Sequence, residues 1–143
     1  DRILVQNEVA GERYRALGAP EARVEMAGNL KYDLRVDGLQ PPAAVAEWVG
    51  AVQPEKIWIA ASTMPPAEAG DVDEEDVMVQ ALGELQREHR GLLTILVPRR
   101  PERFDVAWKK LQDAGIRAVR RSALRPESLP CVLLLDSLSL IHI

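Results

Sequence analysis

Leu92-Leu93-Thr94-Ile95-Leu96-Val97-Pro98-Arg99-Arg100-Pro101-Glu102-Arg103-Phe104 is the stretch on which the fold turns. Leu92 to Val97 is an apolar run, broken only by Thr94, of the kind found in strands buried on both faces, and such strands belong to parallel sheets. After the Pro98 loop, Pro101 suits the first turn of a helix. Phe104, Ala107, Trp108, Leu111 and Ala114 then recur at three- and four-residue intervals as a single stripe, which Gly115 ends. The stretch therefore reads as strand, loop, helix.

The same unit recurs on either side. Lys56 to Ala61 is a continuous apolar strand, followed by an amphipathic helix from about Asp73 to His89 with Val77, Met78, Ala81, Leu82 and Leu85 on its inner face. Ile116 to Val119 and Val132 to Leu135 supply two further strands, and Pro41-Pro42 opens a helix with Val45, Trp48, Val49 and Val52 on one side. Strands alternating with helices at these spacings predict an α/β domain with a parallel sheet and helices on its faces. Upstream, Ile3 to Val5 leads into a helix capped by Asn7 and running through Leu17, where Gly18 stops it, and Val24 to Met26 is a second short strand. From Gly28 to Gln40 the period is lost among Gly and polar residues, which marks a connection between domains.

Composition restricts the partners. A 47% apolar and 28% charged chain of 143 residues can build one real core, and a net charge of −4 with the signs interspersed gives no field that would draw it onto nucleic acid. Any anion site must be local. No apolar run approaches the roughly 20 residues that span a bilayer. Cys131 has no possible disulfide partner, being the one cysteine in the chain, and between Pro130 and Val132 it reads as a buried strand thiol in a reducing compartment.

In open parallel sheets, ligands bind beyond the carboxyl ends of the strands. Two loops lie there. Pro98 to Arg103 places three arginines at the positive end of a helix, where cations are disfavoured. They are either solvated surface residues, with Glu102 as dipole complement, or forks that clamp a phosphate or carboxylate. Placement at a strand end favours the clamp. Arg99 is nearest the strand end, whereas Arg103 is expected to pair with Glu102 or Asp105. The second loop, Ala60-Ala61-Ser62-Thr63-Met64-Pro65-Pro66, ends its strand in small residues and follows with two hydroxyls. It is either an ordinary strand-to-helix turn or an oxyanion contact. No phosphate-binding Gly-rich fingerprint occurs. The acidic run Asp71 to Asp76 lacks the features of a calcium loop and reads as compensation of a helix dipole. His89, His142 and Cys131 make no metal or triad constellation with nearby carboxylates. No catalytic residue and no metal site is assigned, and Trp48, Trp58 and Trp108 are expected in the core.

Gly28-Asn29-Leu30-Lys31-Tyr32-Asp33, Trp58-Ile59-Ala60-Ala61-Ser62-Thr63 and Val97-Pro98-Arg99-Arg100-Pro101-Glu102-Arg103-Phe104 are together similar to motifs of the 3-deoxy-D-manno-octulosonic acid (Kdo) transferases of lipopolysaccharide biosynthesis. Gln6-Asn7-Glu8, Arg13 to Gly18 and Val119-Arg120-Arg121-Ser122 fit the same pattern, so the resemblance runs from Asp1 to about Ser137. It implies a GT-B glycosyltransferase fragment with an incomplete Rossmann-like parallel sheet. Residues 1–27 would close the N-terminal acceptor domain, 28–40 connect the domains, and 41–143 form the first half of the C-terminal donor domain. The implied donor is CMP-Kdo, held by Pro98 and Arg99 with Ser62 and Thr63, the acceptor is a lipid A precursor, and no separate cofactor is needed. The implied location is the cytoplasmic face of the bacterial inner membrane, with peripheral association through parts beyond this chain.

Two departures go with the resemblance. Met64-Pro65-Pro66 follows the Ser-Thr pair where the family commonly has His and an acidic Gly-Glu-Glu stretch. The family's catalytic glutamate and its Gly-Gly-Ser and Asn-Pro-x-Glu donor segments lie outside the chain, and Leu138 to Ile143 leave the family pattern as a truncation or a frame error would. The segment by itself is therefore expected to be inactive. The rival expectation is a noncatalytic α/β module that holds a phosphorylated ligand or a protein partner on the arginine loop.

Overall fold

The computed structural model describes residues 1–33 and 40–137. Most of the predicted connection after Asp33 and the tail from Leu138, including His142, lie outside them. The chain divides into two compact units, Asp1–Gln40 and Pro41–Ile143.

The first unit is a small parallel strand pair with one helix between the strands. β1 (Ile3–Val5) pairs with β2 (Val24–Met26), Ile3 opposite Val24. α1 (Glu8–Ala16) starts at Asn7, whose side chain accepts the Ala10 N–H at 2.9 Å. Gly18 then takes a positive φ of 91°, a conformation open to glycine at little cost.

The second unit is built on a sheet of four strands, all parallel: β3 (Lys56–Thr63), β4 (Leu92–Pro98), β5 (Ala118–Arg120) and β6 (Cys131–Leu134), in the order β3-β4-β6-β5. Alternation of side chains sorts the central strands onto two cores. Leu93, Cys131, Leu133 and Val119 face α2 (Ala43–Val52), whose Val45, Trp48, Val49 and Val52 form the predicted stripe. Leu96, Val132, Leu134 and Ala118 face α3 (Glu74–Glu88) and α4 (Phe104–Asp113), where Leu82, Ala107 and Leu111 are buried. Burial on both faces is why these strands carry so few polar residues. Cys131 is fully buried, and desolvation pushes its thiol up to about 11, which fits packing and not reactivity.

Four details depart from the sequence reading. β3 was expected to be buried throughout, but it is an edge strand: Trp58 and Ala60 pack toward α3 and α4, while Ile57 and Ile59 are 49% and 60% exposed because α2 does not reach them. On α3 the inner face takes Val79, and Val77 turns out to solvent. Ala114 drops out of the α4 stripe because the helix closes one residue earlier. There Gly115 at φ 67° lets Ile116 N–H return to the Leu111 carbonyl, which delays β5 to Ala118.

Candidate functional site

A parallel sheet points all its strand carboxyl ends to one side, and β3 and β4 are neighbours there. Their register brings Thr63 opposite Pro98 and Ala61 opposite Val97, with the irregularity between Ala61 and Thr63 falling on Ser62. The extra residue is exposed and sits at φ 64°, a left-handed conformation that costs a residue with a Cβ of order 1 kcal/mol or more. The two loops singled out from the sequence are therefore adjacent, and they are joined directly: Arg99 N–H donates to the Thr63 carbonyl at 3.0 Å.

The three arginines of the loop are not equivalent. Arg103 was expected to pair with Glu102 or Asp105, and it does neither. Its guanidinium is drawn inward to Asp73 at 2.5 Å and to Glu75, with Arg103 Nε donating to Glu75 Oε2 at 2.9 Å. Lys110 joins the cluster at 2.8 Å from Asp73, and the Glu75 side chain is fully buried. Lys110 also pairs with the more exposed Asp76 at 2.6 Å. A buried carboxylate requires a partner of this kind, and Arg103 supplies it to Glu75. Burial pushes the Asp73 carboxyl up, but hydrogen bonds from Lys110 and Arg103 outweigh it and hold the pKa at about 2. Desolvation lowers Arg103 and Lys110, but bonds to Glu75 and Asp73 raise the first and bonds to Asp73 and Asp76 raise the second. Arg103 is thus removed from any ligand. Arg100 is exposed, with Glu102 a distant 4.0 Å away. Arg99 is exposed, and among the described residues its side chain has no hydrogen bond or ion pair.

Ser62 and Thr63 also part company. Ser62 is exposed at the rim, whereas Thr63 is buried and its hydroxyl donates to Glu75 Oε1 at 3.0 Å. Behind the pair, Met64 N–H donates to Glu74 at 2.8 Å and Glu74 N–H returns to the Met64 carbonyl, so Met64-Pro65-Pro66 is tied to the start of α3. The acidic run does more than complement a helix dipole: Asp73 caps α3 by accepting Glu75 N–H at 3.1 Å. The inward role of Glu75 had a signal in the sequence, since it lies three and seven residues before Met78 and Leu82 on the buried stripe.

At the other end of the same edge, Asp136 accepts Ser122 N–H at 2.9 Å and the Ser122 hydroxyl at 2.5 Å, clasping the ends of β5 and β6. Arg120 lies 4.8 Å from the Trp108 ring centroid and pairs with Asp105 at 2.7 Å. These contacts were not read from the sequence, because they join residues far apart in the chain. Among the described residues no group of three or more His, Cys, Asp and Glu is placed to hold a metal ion, and no helix is long and apolar enough to cross a membrane.

What the strand-end corner offers is the guanidinium of Arg99, unpartnered among the described residues, one exposed hydroxyl on a strained turn, and the N–H of Glu102, since Pro101 has none and Arg103 N–H is taken by the Arg100 carbonyl. That set suits an anion with several oxygens. No family model matches the chain. Over 128 residues it is 33% identical to a 3-deoxy-D-manno-octulosonic acid transferase of Haemophilus influenzae, a match that takes in 84% of the chain and 26% of that protein. It is 37% identical over 128 residues to the enzyme of the same name from Bordetella pertussis, with 86% of the chain and 27% of the relative covered. The chain thus spans about a quarter of the length of these curated relatives. The crystal structure of the C-terminal CMP-Kdo binding domain of WaaA from Acinetobacter baumannii shares 28% identity, with 67% of the chain and 49% of that domain superposed at a TM-score of 0.49.

Proposed function

The chain is a relative of the 3-deoxy-D-manno-octulosonic acid transferases, matched over most of its own length, and on that premise we propose that its second unit binds the nucleotide of CMP-Kdo as part of a GT-B enzyme. The observation that supports this most is the free guanidinium of Arg99 at the carboxyl end of β4, beside the rim at Ser62. Ligands of open parallel sheets sit at that edge, and an arginine fork matches a phosphate bidentately.

In this reading the unit recognises the leaving group. Breaking the bond between Kdo and the CMP phosphate builds negative charge on the phosphate oxygens. Arg99 meets that charge more strongly in the transition state than in the ground state, as does the Glu102 N–H at the start of the 101–103 turn. Pro98 fixes the direction in which the chain leaves β4, and Ser62 contributes its hydroxyl from the neighbouring loop. Thr63 contributes its backbone alone. The acceptor, a lipid A precursor, is met by parts of the protein beyond this segment, where a glutamate deprotonates its hydroxyl. No separate cofactor enters. The first unit belongs to the end of the acceptor domain and residues 28–40 to the connection. Peripheral association with the cytoplasmic face of the inner membrane also falls to the parts outside, and the segment alone does not turn over.

Calorimetric titration of the chain with CMP tests the proposal. Arg99→Ala should weaken binding by about tenfold to a hundredfold, the worth of a charged hydrogen-bonded contact. Equal affinity in the two proteins would remove Arg99 from the site.

A further inference from the structure

We propose that Glu75 is a positioning residue for the anion site, acting through Thr63 on Arg99. This rests on the donor-site reading above. Glu75 divides its two oxygens between different tasks. Oε2 takes the Arg103 guanidinium, while Oε1 accepts the Thr63 hydroxyl at 3.0 Å. The Thr63 carbonyl in turn accepts Arg99 N–H at 3.0 Å. A chain of hydrogen bonds therefore runs from the buried cluster on α3 and α4, through the last residue of β3, to the backbone of Arg99, the arginine of this loop whose side chain has no partner among the described residues.

The location of this chain gives it its effect. Regular pairing of β3 with β4 is interrupted between Ala61 and Thr63, so the ladder that would otherwise fix the loop after β4 gives way at Ser62. Beyond the interruption, Thr63 is the residue that holds the start of the arginine loop, and its side chain is held by Glu75. A buried ionic cluster is a poor source of stability, because well-packed apolar residues of similar volume often do as well. It can instead set one geometry. Glu75 is fully buried, and Asp73, Arg103, Lys110 and Thr63 converge on it or on its partners. The cluster sets where the peptide at Arg99 lies and so where its guanidinium starts.

The test is a double-mutant cycle read by CMP calorimetry on the chain, with a thermal melt of each variant. Thr63→Val cuts the bond to Glu75 and leaves the Glu75–Arg103 pair; Thr63→Ser retains the hydroxyl. The expected result is a loss of CMP affinity of about tenfold in Thr63→Val and recovery in Thr63→Ser. In an Arg99→Ala background, Thr63→Val should change the affinity little. If Thr63→Val does not fold, Thr63→Ala replaces it in the same cycle. Unchanged affinity in the Thr63 variant overturns the inference while leaving the donor-site reading intact. So does a loss of the same size with Arg99 already removed, which would mean general destabilisation. A wild-type chain that does not bind CMP rejects the donor-site reading itself, and the inference with it.

Discussion

Arg103 is already neutralised, with Asp73 and Glu75 both on its guanidinium, so its removal should be felt in stability. Arg103→Leu leaves a fully buried carboxylate short of its partner, and urea unfolding should report a loss of about 3–5 kcal/mol. Arg100→Ala, at an exposed side chain 4.0 Å from its partner, should stay within about 0.5 kcal/mol of the parent. Asp73 adds a pH dependence. Its carboxyl titrates at about 2 in the folded protein against 3.8 ordinarily. The ionised form therefore stabilises the fold at pH 5 and above. That contribution, at most about 2 kcal/mol, should fade as pH falls from 4 toward 2, and fade much less in Asp73→Asn. From the sequence, Arg99 stood nearest the strand end and Arg103 had local acids, Glu102 and Asp105, within reach. Arg99 could be ranked first on that basis, but the partners of Arg103 lie 28 and 30 residues away, and no local spacing gives them.

The loop after β3 shows what an element's end can do with one extra residue. Ser62→Gly removes the Cβ that makes φ 64° costly, and so should stabilise the turn by up to about 1 kcal/mol in thermal unfolding. On the donor-site reading it should also lose CMP affinity with the hydroxyl. A stabilised variant with undiminished binding would confine Ser62 to a structural role. The elements themselves were largely legible. The apolar runs placed β4 and β6, the Asn7 cap and Gly18 bracketed α1, and Val45, Trp48, Val49 and Val52 oriented α2, because each of these signals is local. The edge position of β3 was not legible. Lys56 to Ala61 is as apolar as a central strand, and which neighbour a parallel strand takes depends on crossovers through the rest of the sheet.

At the scale of the molecule, the order β3-β4-β6-β5 gathers distant segments onto one edge, so that Ser62, Arg99, Ser122 and Asp136 all stand at strand carboxyl ends. The alternation of strands and helices was enough to expect that edge, and with it the arginine loop as a site. The division of labour along the edge, with a buried ionic cluster behind β3 and a Ser122–Asp136 clasp behind β5 and β6, needed the fold. The central claim is that the corner between β3 and β4 holds a nucleotide phosphate. Amide chemical-shift mapping of the chain during titration with CMP tests it most directly. The account predicts saturable shifts concentrated at Ser62, Thr63 and Met64 and at Arg99, Arg100 and Glu102, strongly weakened in Arg99→Ala. Shifts confined to the groove lined by Trp48, Val52 and Leu124, or none at millimolar CMP, would contradict it.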